Sequence, residues 1–238
     1  MLAEIEAIHA KFAYYGAPRV HRTLHARHRV GRHRVARLMR LHGIRARRGK
    51  VKSRPRAAPP ARRPEIVDLV RRRFTAPALG RLWFTDQTVI RTGEGFLHAA
   101  VVLDALNRGV VSWAADTYET PLTALRAFKD AIRAARPAPG CVIHSDRGYQ
   151  FTAHDWIALA RAHRLEVSIG ERKSALDNAV IESWFASLKN EEFYPNALPA
   201  TKTEARTRLF AYVWTYNTQR LHSTLGYRTP AEYAIINQ

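Results

Sequence analysis

Three acidic residues stand in sequence surroundings that constrain this chain more than any other feature. Asp86 closes the apolar run 82–85, Asp146 follows the apolar run 141–145, and Glu182 lies within a segment of helical periodicity. Hard divalent cations prefer oxygen ligands, and a few carboxylates on rigid elements can hold two of them. If the strand that contains Asp86 and the strand before Asp146 are neighbours, the two aspartates converge at one edge of a sheet, and the helix with Glu182 would pack across that edge.

The order of predicted elements indicates the fold class. After a short helix near 64–74, the periodicity predicts a β-β-β-α-β-α-β-α-α order. Short connections between the first three strands favour an antiparallel meander, which argues against a doubly wound sheet. We therefore expect an α/β protein with a mixed five-stranded sheet flanked by helices, the ribonuclease-H-like order. The predicted strands are 82–90, 96–104, 109–115, 141–144 and 165–169, and the helices are 120–136, 153–163, 175–190 and 203–217.

Positive charge is concentrated in the first third of the chain. Residues 1–73 hold 21 Lys and Arg against 4 Asp and Glu, a net +17 of the total +19. Such asymmetry predicts a nucleic-acid-binding arm joined to a nearly neutral domain, and the phosphodiester backbone becomes the expected substrate. The alternative is a solvated basic face or an unstructured tail. Apolar periodicity in the segment favours the arm.

Two short helices joined by a turn at Val30-Gly31 resemble a helix-turn-helix, with Gly43 ending the second helix. Many helical hairpins bind nothing, but this one carries basic residues that could reach a DNA groove: Arg32, Arg34, Arg37 and Arg40. We expect a small all-α segment at 1–44 and a basic, proline-rich linker at 45–64 that lies along DNA. A catalytic core with C-terminal helices would occupy 65–238.

Each carboxylate taken alone has an ordinary interpretation. An aspartate at a strand end is usually a turn or cap residue, and a single glutamate on a helix is usually solvated. The helix around Glu182 is less ordinary, because Asn178 and Lys189 fall on the same face as Glu182, apart from its apolar stripe. We therefore expect this polar face to point at the two aspartates, with Lys189 suited to hold the DNA backbone.

The composition excludes several other classes. No run approaches the length of a membrane span, and the first residues lack the pattern of a secretory signal. The single cysteine, Cys141, cannot form an internal disulfide, and its apolar surroundings predict a core position. We expect no membrane partner and a cytoplasmic, nucleoid-associated protein.

Several motifs together resemble one family, the catalytic subunit of bacterial insertion-sequence transposases of the orfAB, integrase-like type. Asp146 and Glu182 are separated by 35 residues, which matches that family's D,D(35)E spacing. The resemblance covers nearly the whole chain. The matching segments are Trp83-Phe84-Thr85-Asp86, His144-Ser145-Asp146-Arg147-Gly148-Tyr149-Gln150, Asp177-Asn178-Ala179-Val180-Ile181-Glu182, Leu188-Lys189, Tyr216-Asn217 and Arg220-Leu221-His222-Ser223-Thr224-Leu225-Gly226-Tyr227.

The resemblance implies a metal-binding catalytic triad of Asp86, Asp146 and Glu182, which would use Mg2+, with Mn2+ able to replace it. It implies DNA contacts by Lys189, Asn178, Arg147 and Gln150. It also implies that His144, Arg147 and Gln150 support or flank the second aspartate. The implied partners are double-stranded DNA at element ends and target, further copies of the chain on paired ends, and the product of a partner reading frame. Relatives usually have more sequence before the first helix, so a shortened N-terminus is expected.

The implied reaction is metal-dependent cleavage and strand transfer of DNA at insertion-sequence ends. One alternative is a nuclease of the same fold that only hydrolyses. Another is a decayed relative that binds DNA without cutting it. The basic arm, the 35-residue interval and the intact triad favour strand transfer.

Overall fold

A computed structural model describes residues 1–25, 27–47, 66–170 and 177–237. Residues 48–64 of the predicted linker lie outside these ranges, and so does the predicted boundary between the linker and the catalytic core at 64–65. Within the described parts of the chain, no helix is both long enough and apolar enough to cross a bilayer.

The N-terminal segment forms three helices around its own apolar cluster. These are α1 (Leu2–Lys11), α2 (Ala17–His25) and α3 (Arg32–Leu41). Gly43 has φ +67°, a left-handed conformation that glycine adopts without strain, and it follows the end of α3 as predicted. The cluster contains Ile5, Phe12, Tyr15, Val20, Leu24, Val30, Val35 and Met39. The helical periodicity of the sequence therefore corresponds to a small hydrophobic core.

The second part of the chain is a mixed five-stranded sheet in the order β3-β2-β1-β4-β5. The first three strands form the predicted antiparallel meander, and β4 and β5 add in parallel on the other side of β1. This confirms the predicted fold class. The strands are β1 (Leu82–Thr92), β2 (Gly95–Asp104), β3 (Val110–Asp116), β4 (Val142–Ser145) and β5 (Glu166–Ile169).

Helices cover both faces of the sheet. One face packs on α4 (Pro121–Ala135) and α5 (His154–Ala162), and the other packs on α6 (Ala179–Leu188) and α7 (Lys202–Thr218). A π-helical turn, Lys189–Phe193, continues α6 directly. A last helix, α8 (Pro230–Ile236), was not predicted; it begins with a capping box between Thr229 and Glu232.

Two predictions about helices were wrong: one helix is absent, and another begins later than predicted. Residues 66–74 form no helix; instead this segment lies against the end of β5, where Ile169 N donates to Val67 O and Leu69 N donates to Ser168 Oγ. The helix predicted over 175–190 begins only at Ala179, since Asn178 occupies its N-cap. In both places, hydrogen bonds to the sheet replace those that a longer helix would have formed.

Candidate active site

The two aspartates follow a pair of adjacent strand residues. Strands β1 and β4 are parallel neighbours, and their last paired residues are Thr85 and Ser145. Asp86 and Asp146 are the next residues on the two strands. The two strands are therefore neighbours, as the predicted convergence of the aspartates requires, and the meeting of the two carboxylates stays a prediction.

Alternation along the strands assigns Asp86 to the face of the sheet that α6 covers. Leu82 and Phe84 belong to the core on that face, whereas Trp83 belongs to the core under α4 and α5. Successive side chains of a strand point to opposite faces, so Asp86 shares the side of Phe84. On β4 the ring of His144 lies against Phe84 on this same side, and Asp146 follows the end of the strand.

Helix α6 is tied to β1 immediately before Asp86. The side-chain amide of Asn178 donates to the carbonyl oxygen of Thr85 at 3.2 Å, and Glu182 N donates to Asn178 O at 3.1 Å. Ile181, with Trp184 and Leu188, fills the core below, as the periodicity predicted. Asp86, Asp146, Asn178 and Glu182 are hereafter called the carboxylate edge.

Backbone amides fix the orientation of both aspartates. One carboxylate oxygen of Asp86 accepts from Gln87 N at 2.7 Å, and one of Asp146 accepts from Gly148 N at 3.0 Å. Asp86 is 4 % exposed, whereas Asp146 is open to solvent and Glu182 is half-buried. Among the described residues, no group of three or more His, Cys, Asp or Glu side chains forms a metal-binding arrangement.

A directional chain of hydrogen bonds supports the carboxylate edge from below. His144 Nε2 lies 3.1 Å from the carbonyl oxygen of Asp177, which can only accept, so this nitrogen donates. Burial lowers the pKa of His144, which keeps the ring neutral and leaves Nδ1 to accept from the Ser168 hydroxyl at 2.8 Å. Ser168 Oγ in turn accepts from Leu69 N. The N-terminal end of α6 is thus connected through β4 and β5 to residues 66–70.

An ion pair reinforces this connection. Arg72 Nε lies 2.9 Å from a carboxylate oxygen of the buried Asp177. Sequence reasoning missed Arg72, Asp177 and Ser168 as parts of the site. Asp177 adjoins the recognised Asn178, but no periodicity marks Ser168 or Arg72, because their contacts depend on the path of a segment without regular structure.

The other predicted site residues lie in varied surroundings. Lys189 is half-buried at the start of the π-helical turn, and Gln150 is 8 % exposed in a 3-10 turn. Arg147 is half-buried and donates from Nε to Gly170 O at 2.9 Å. Their contacts with DNA stay predictions.

Helix α3 presents its basic residues outward. Val35 and Met39 are buried against α1 and α2. The predicted DNA-contacting residues Arg32, Arg34, Arg37 and Arg40 are exposed on the remaining surface of the helix. A groove-binding role for this surface stays a prediction.

Comparison with family models finds matches in both the N-terminal and the later part of the chain. An HTH-like domain matches residues 1–52, and integrase core domains match residues 76–175 and 163–230. The chain is 32 % identical to the transposase for insertion sequence element IS904 of Lactococcus lactis, over 98 % of this chain and 93 % of that protein. It is 31 % identical to transposase InsF for insertion sequence IS3A of Escherichia coli (strain K12), over 92 % of this chain and 76 % of that protein.

Solved structures share the fold at low sequence identity. One is the simian T-cell lymphotropic virus intasome in complex with a PP2A regulatory subunit, with a TM-score of 0.58, 16 % identity, and coverage of 97 % of this chain and 74 % of that one. Another is the HTLV-2 integrase catalytic core domain in complex with magnesium, with a TM-score of 0.51, 17 % identity, and coverage of 66 % of this chain and 97 % of that one.

An integrase-type core with an N-terminal HTH-like domain defines a class of polynucleotidyl transferases. Within that class, this chain belongs to the family of insertion-sequence transposases with an integrase core. Its function is DNA transposition.

Proposed function

We propose that Asp86, Asp146 and Glu182 are the catalytic residues of this transposase. The observation that carries the proposal is the parallel pairing of β1 with β4, which ends at Thr85 and Ser145, together with the Asn178 bond that ties α6 to Thr85. One carboxylate within a strand, a second just after the neighbouring strand and a third on the helix that packs across them form the kind of ligand set that paired hard cations use.

The donor chemistry of the carboxylate edge fits Mg2+, with Mn2+ able to replace it. Asp86 and Asp146 supply carboxylate oxygens with fixed orientations, and Glu182 supplies a third group from α6. Asn178 Oδ1 is buried with no hydrogen-bond partner among the described residues, so the edge also offers an amide oxygen that a hydrated cation could satisfy. When bound, the metal would supply charge neutralisation at the phosphoryl group and activation of the attacking oxygen.

The reaction that we propose has two in-line displacements at phosphorus. In the first, water attacks the phosphodiester at the element end, the bond to the 3′ oxygen breaks, and a 3′-OH is released. In the second, a 3′-OH attacks another phosphodiester and displaces a second 3′ oxygen, which takes up the proton. The three carboxylates hold the reacting groups in line, and no covalent bond to the protein is needed.

DNA binding is proposed to divide between two surfaces. The exposed arginines of α3, Arg32, Arg34, Arg37 and Arg40, would contact the element end in a groove. Near the carboxylate edge, Lys189, Asn178, Arg147 and Gln150 would hold the strand that reacts. The excess of positive charge in residues 1–73 supports the first surface most strongly.

Assembly on paired ends is also proposed, with double-stranded DNA, further copies of this chain and the product of a partner reading frame as components. Helix α7 exposes two large apolar side chains, Phe210 and Trp214, which is the kind of surface that interfaces between copies use. Paired ends would bring two carboxylate edges to one DNA target.

The decisive experiment incubates the protein with a labelled element end and Mg2+ and separates joined strands from strands that are only cut. Joined product is expected, and Asp86→Asn should abolish it while end binding persists. Cut product without joined product would indicate a hydrolytic nuclease. End binding with neither product would indicate a non-catalytic binder.

A further inference from the structure

The C-terminal motif at 216–227 has no role in the chemistry described above, yet it contacts the N-terminal helices. Leu221 packs into the apolar cluster of α1, α2 and α3. Its backbone N–H donates to the hydroxyl oxygen of Tyr15 at 2.7 Å, and the same hydroxyl faces Gln219 O at 3.4 Å. The N-terminal segment is therefore docked on the integrase-type core through specific polar contacts.

A buried ion pair lies directly beneath this contact. Arg220 donates to both carboxylate oxygens of Glu191, from Nη2 at 2.6 Å and from Nε at 2.9 Å. The guanidinium also lies over the rings of Tyr14 and Tyr216, with centroids at 5.5 and 5.4 Å. One face of this cation thus contacts the N-terminal segment, and its other side contacts α7.

Glu191 belongs to the π-helical turn that continues α6. Tyr212 on α7 also donates to its carboxylate, at 3.0 Å, so the position of Glu191 is fixed from two sides. Eight residues of helical backbone, α-helical as far as Leu188 and π-helical after it, lie between Glu182 and Glu191, a distance of about 14 Å for nine steps at the rise of an α-helix. A helical rod of this length transmits position with little bending. The residues Tyr14, Tyr15, Glu191, Arg220 and Leu221 are hereafter called the docking cluster.

We propose that the docking cluster fixes the helix-turn-helix segment to the helix that carries Glu182, and so sets the distance between the bound end sequence and the bond that is cut. Tyr15 and Arg220 are positioning residues in this arrangement. The inference rests on the proposed function of α3 and of the carboxylates. It adds that the cut is placed by a rigid protein spacer between them.

The ionic character of the cluster favours positioning over simple adhesion. A buried charge pair contributes little net stability compared with apolar packing of the same volume, but it tolerates only one geometry. The bidentate contact of Arg220 and the single Tyr15 hydroxyl at Leu221 N both demand one register of docking. An apolar interface alone would allow the segment to shift.

The test uses the full chain and element ends in which two base pairs are inserted between the bound sequence and the cut. Such an insertion moves the scissile bond by about 7 Å along the helix axis. The wild-type protein should cut the altered end roughly 10- to 100-fold more slowly than the native end, or at a shifted position. Tyr15→Phe, which removes only one oxygen, should reduce the ratio of the cutting rates on the native and altered ends by at least about 10-fold. The variant should cut the native end more slowly, and its cut positions should be scattered on both ends.

The matched control is Glu192→Gln. Glu192 lies in the same π-helical turn and pairs with Arg208 of α7 at 2.7 Å, and neither residue belongs to the docking cluster. It should keep wild-type discrimination between the two ends. Equal loss in Tyr15→Phe and Glu192→Gln would reduce the effect to general destabilisation and overturn the proposal, as would wild-type discrimination in Tyr15→Phe.

A second measurement separates this proposal from the proposed chemistry. The backbone N–H of Leu221 donates to the Tyr15 hydroxyl oxygen in the folded chain, and measuring its hydrogen exchange needs neither DNA nor metal. Tyr15→Phe should accelerate exchange there and across residues 12–24, with the centre of the sheet unchanged. If the wild type cuts no DNA but this exchange difference appears, the proposed function fails and the docking stands. Unchanged exchange in Tyr15→Phe would refute the docking itself.

Discussion

The helix formed by α6 and its π-helical turn carries acidic residues near both ends, and the two ends differ in how their polar groups are paired. At the docking cluster, Glu191 accepts from Arg220 and from Tyr212, and the pair is almost fully buried. At the carboxylate edge, Asn178 Oδ1 is buried with no hydrogen-bond partner among the described residues.

This difference separates two uses of polar groups in one protein. A buried polar group that lacks a partner costs stability, and a bound ligand that satisfies it would recover that cost. Groups that are fully paired instead hold elements in one arrangement. Substitutions at the two ends should therefore have different effects. Those at the carboxylate edge should reduce activity, and those in the docking cluster should reduce stability.

The largest effect is expected at the carboxylate edge. Asp86→Asn, Asp146→Asn or Glu182→Gln should each reduce strand transfer by at least about 10³-fold, because each removes a charged ligand that no neighbour replaces. Stability should be unchanged or slightly raised, since removing one of several like charges relieves their repulsion. A strand-transfer assay, with urea unfolding of the same variants, measures both.

End binding by these variants in a gel-shift assay is the control, since α3 is unaltered. If a variant loses stability as well as strand-transfer activity, the proposed difference between the carboxylate edge and the docking cluster is contradicted. Strand transfer at the wild-type rate in any of the three would remove that residue from the proposed triad.

The next effect concerns stability at the docking cluster. Glu191→Gln should lower the free energy of unfolding by roughly 3–5 kcal/mol, because Arg220 would keep its charge in a buried position without a counterion. Glu191→Leu combined with Arg220→Met should recover much of that loss, since no buried charge remains. Urea unfolding followed by tryptophan fluorescence measures all three proteins.

Glu192→Gln supplies the comparison here too. Its ion pair with Arg208 is partly exposed, so its loss should cost about 1 kcal/mol or less. Similar losses in Glu191→Gln and Glu192→Gln would show that burial of the docking pair confers no special importance.

A smaller effect should appear with pH at the edge of the same cluster. Burial, together with the charges of Arg220, Arg19 and Arg108, lowers the pKa of His222 from 6.5 to about 3. Below pH 6.5 His222 therefore binds a proton in the unfolded chain but not in the folded chain. The free energy of unfolding falls as pH falls from 6.5 towards 3. Between pH 6.5 and 5, His222 should account for roughly 2 kcal/mol of lost stability.

His222→Gln keeps a polar side chain without the titration and should flatten this pH dependence. Thermal unfolding of both proteins at several pH values between 7 and 5 tests it. Parallel curves for the two proteins would assign the pH dependence to other groups.

The five strands and the opening meander could be predicted because short-range pattern determines them: each strand is a short apolar run, and short turns join the first three. The parallel pairing of β1 with β4 was left open by the sequence, because it depends on contacts between segments far apart in the chain. The boundaries that were wrong lie at 66–74 and before Ala179, where bonds to distant strands override local helical preference.

The docking cluster could not be predicted for a related reason. Tyr15 and Leu221 are separated by more than 200 positions, and neither carries a mark of long-range contact in the sequence. Glu191 and Arg220 both lie outside the predicted helices, and the family motif that contains Arg220 does not name its partner. Only packing of the N-terminal helices on the end of α7 buries them together, and no periodicity reports such packing.

The smallest expected effects concern the exposed surface of α3, a third region to compare with the carboxylate edge and the docking cluster. Arg34→Ala or Arg37→Ala should change neither stability nor the rate of strand transfer at saturating DNA, because both side chains are exposed and far from any buried pair. Each should instead weaken DNA binding and reduce the slope of log K against log salt by about 0.9, the contribution of one phosphate contact.

Arg133→Ala on α4, which is similarly exposed, is the control and should leave the slope unchanged. Binding titrations across a range of salt concentrations make the measurement. If the α3 and α4 variants lose slope equally, the positive charge acts diffusely over the protein surface rather than through a helix placed in a groove.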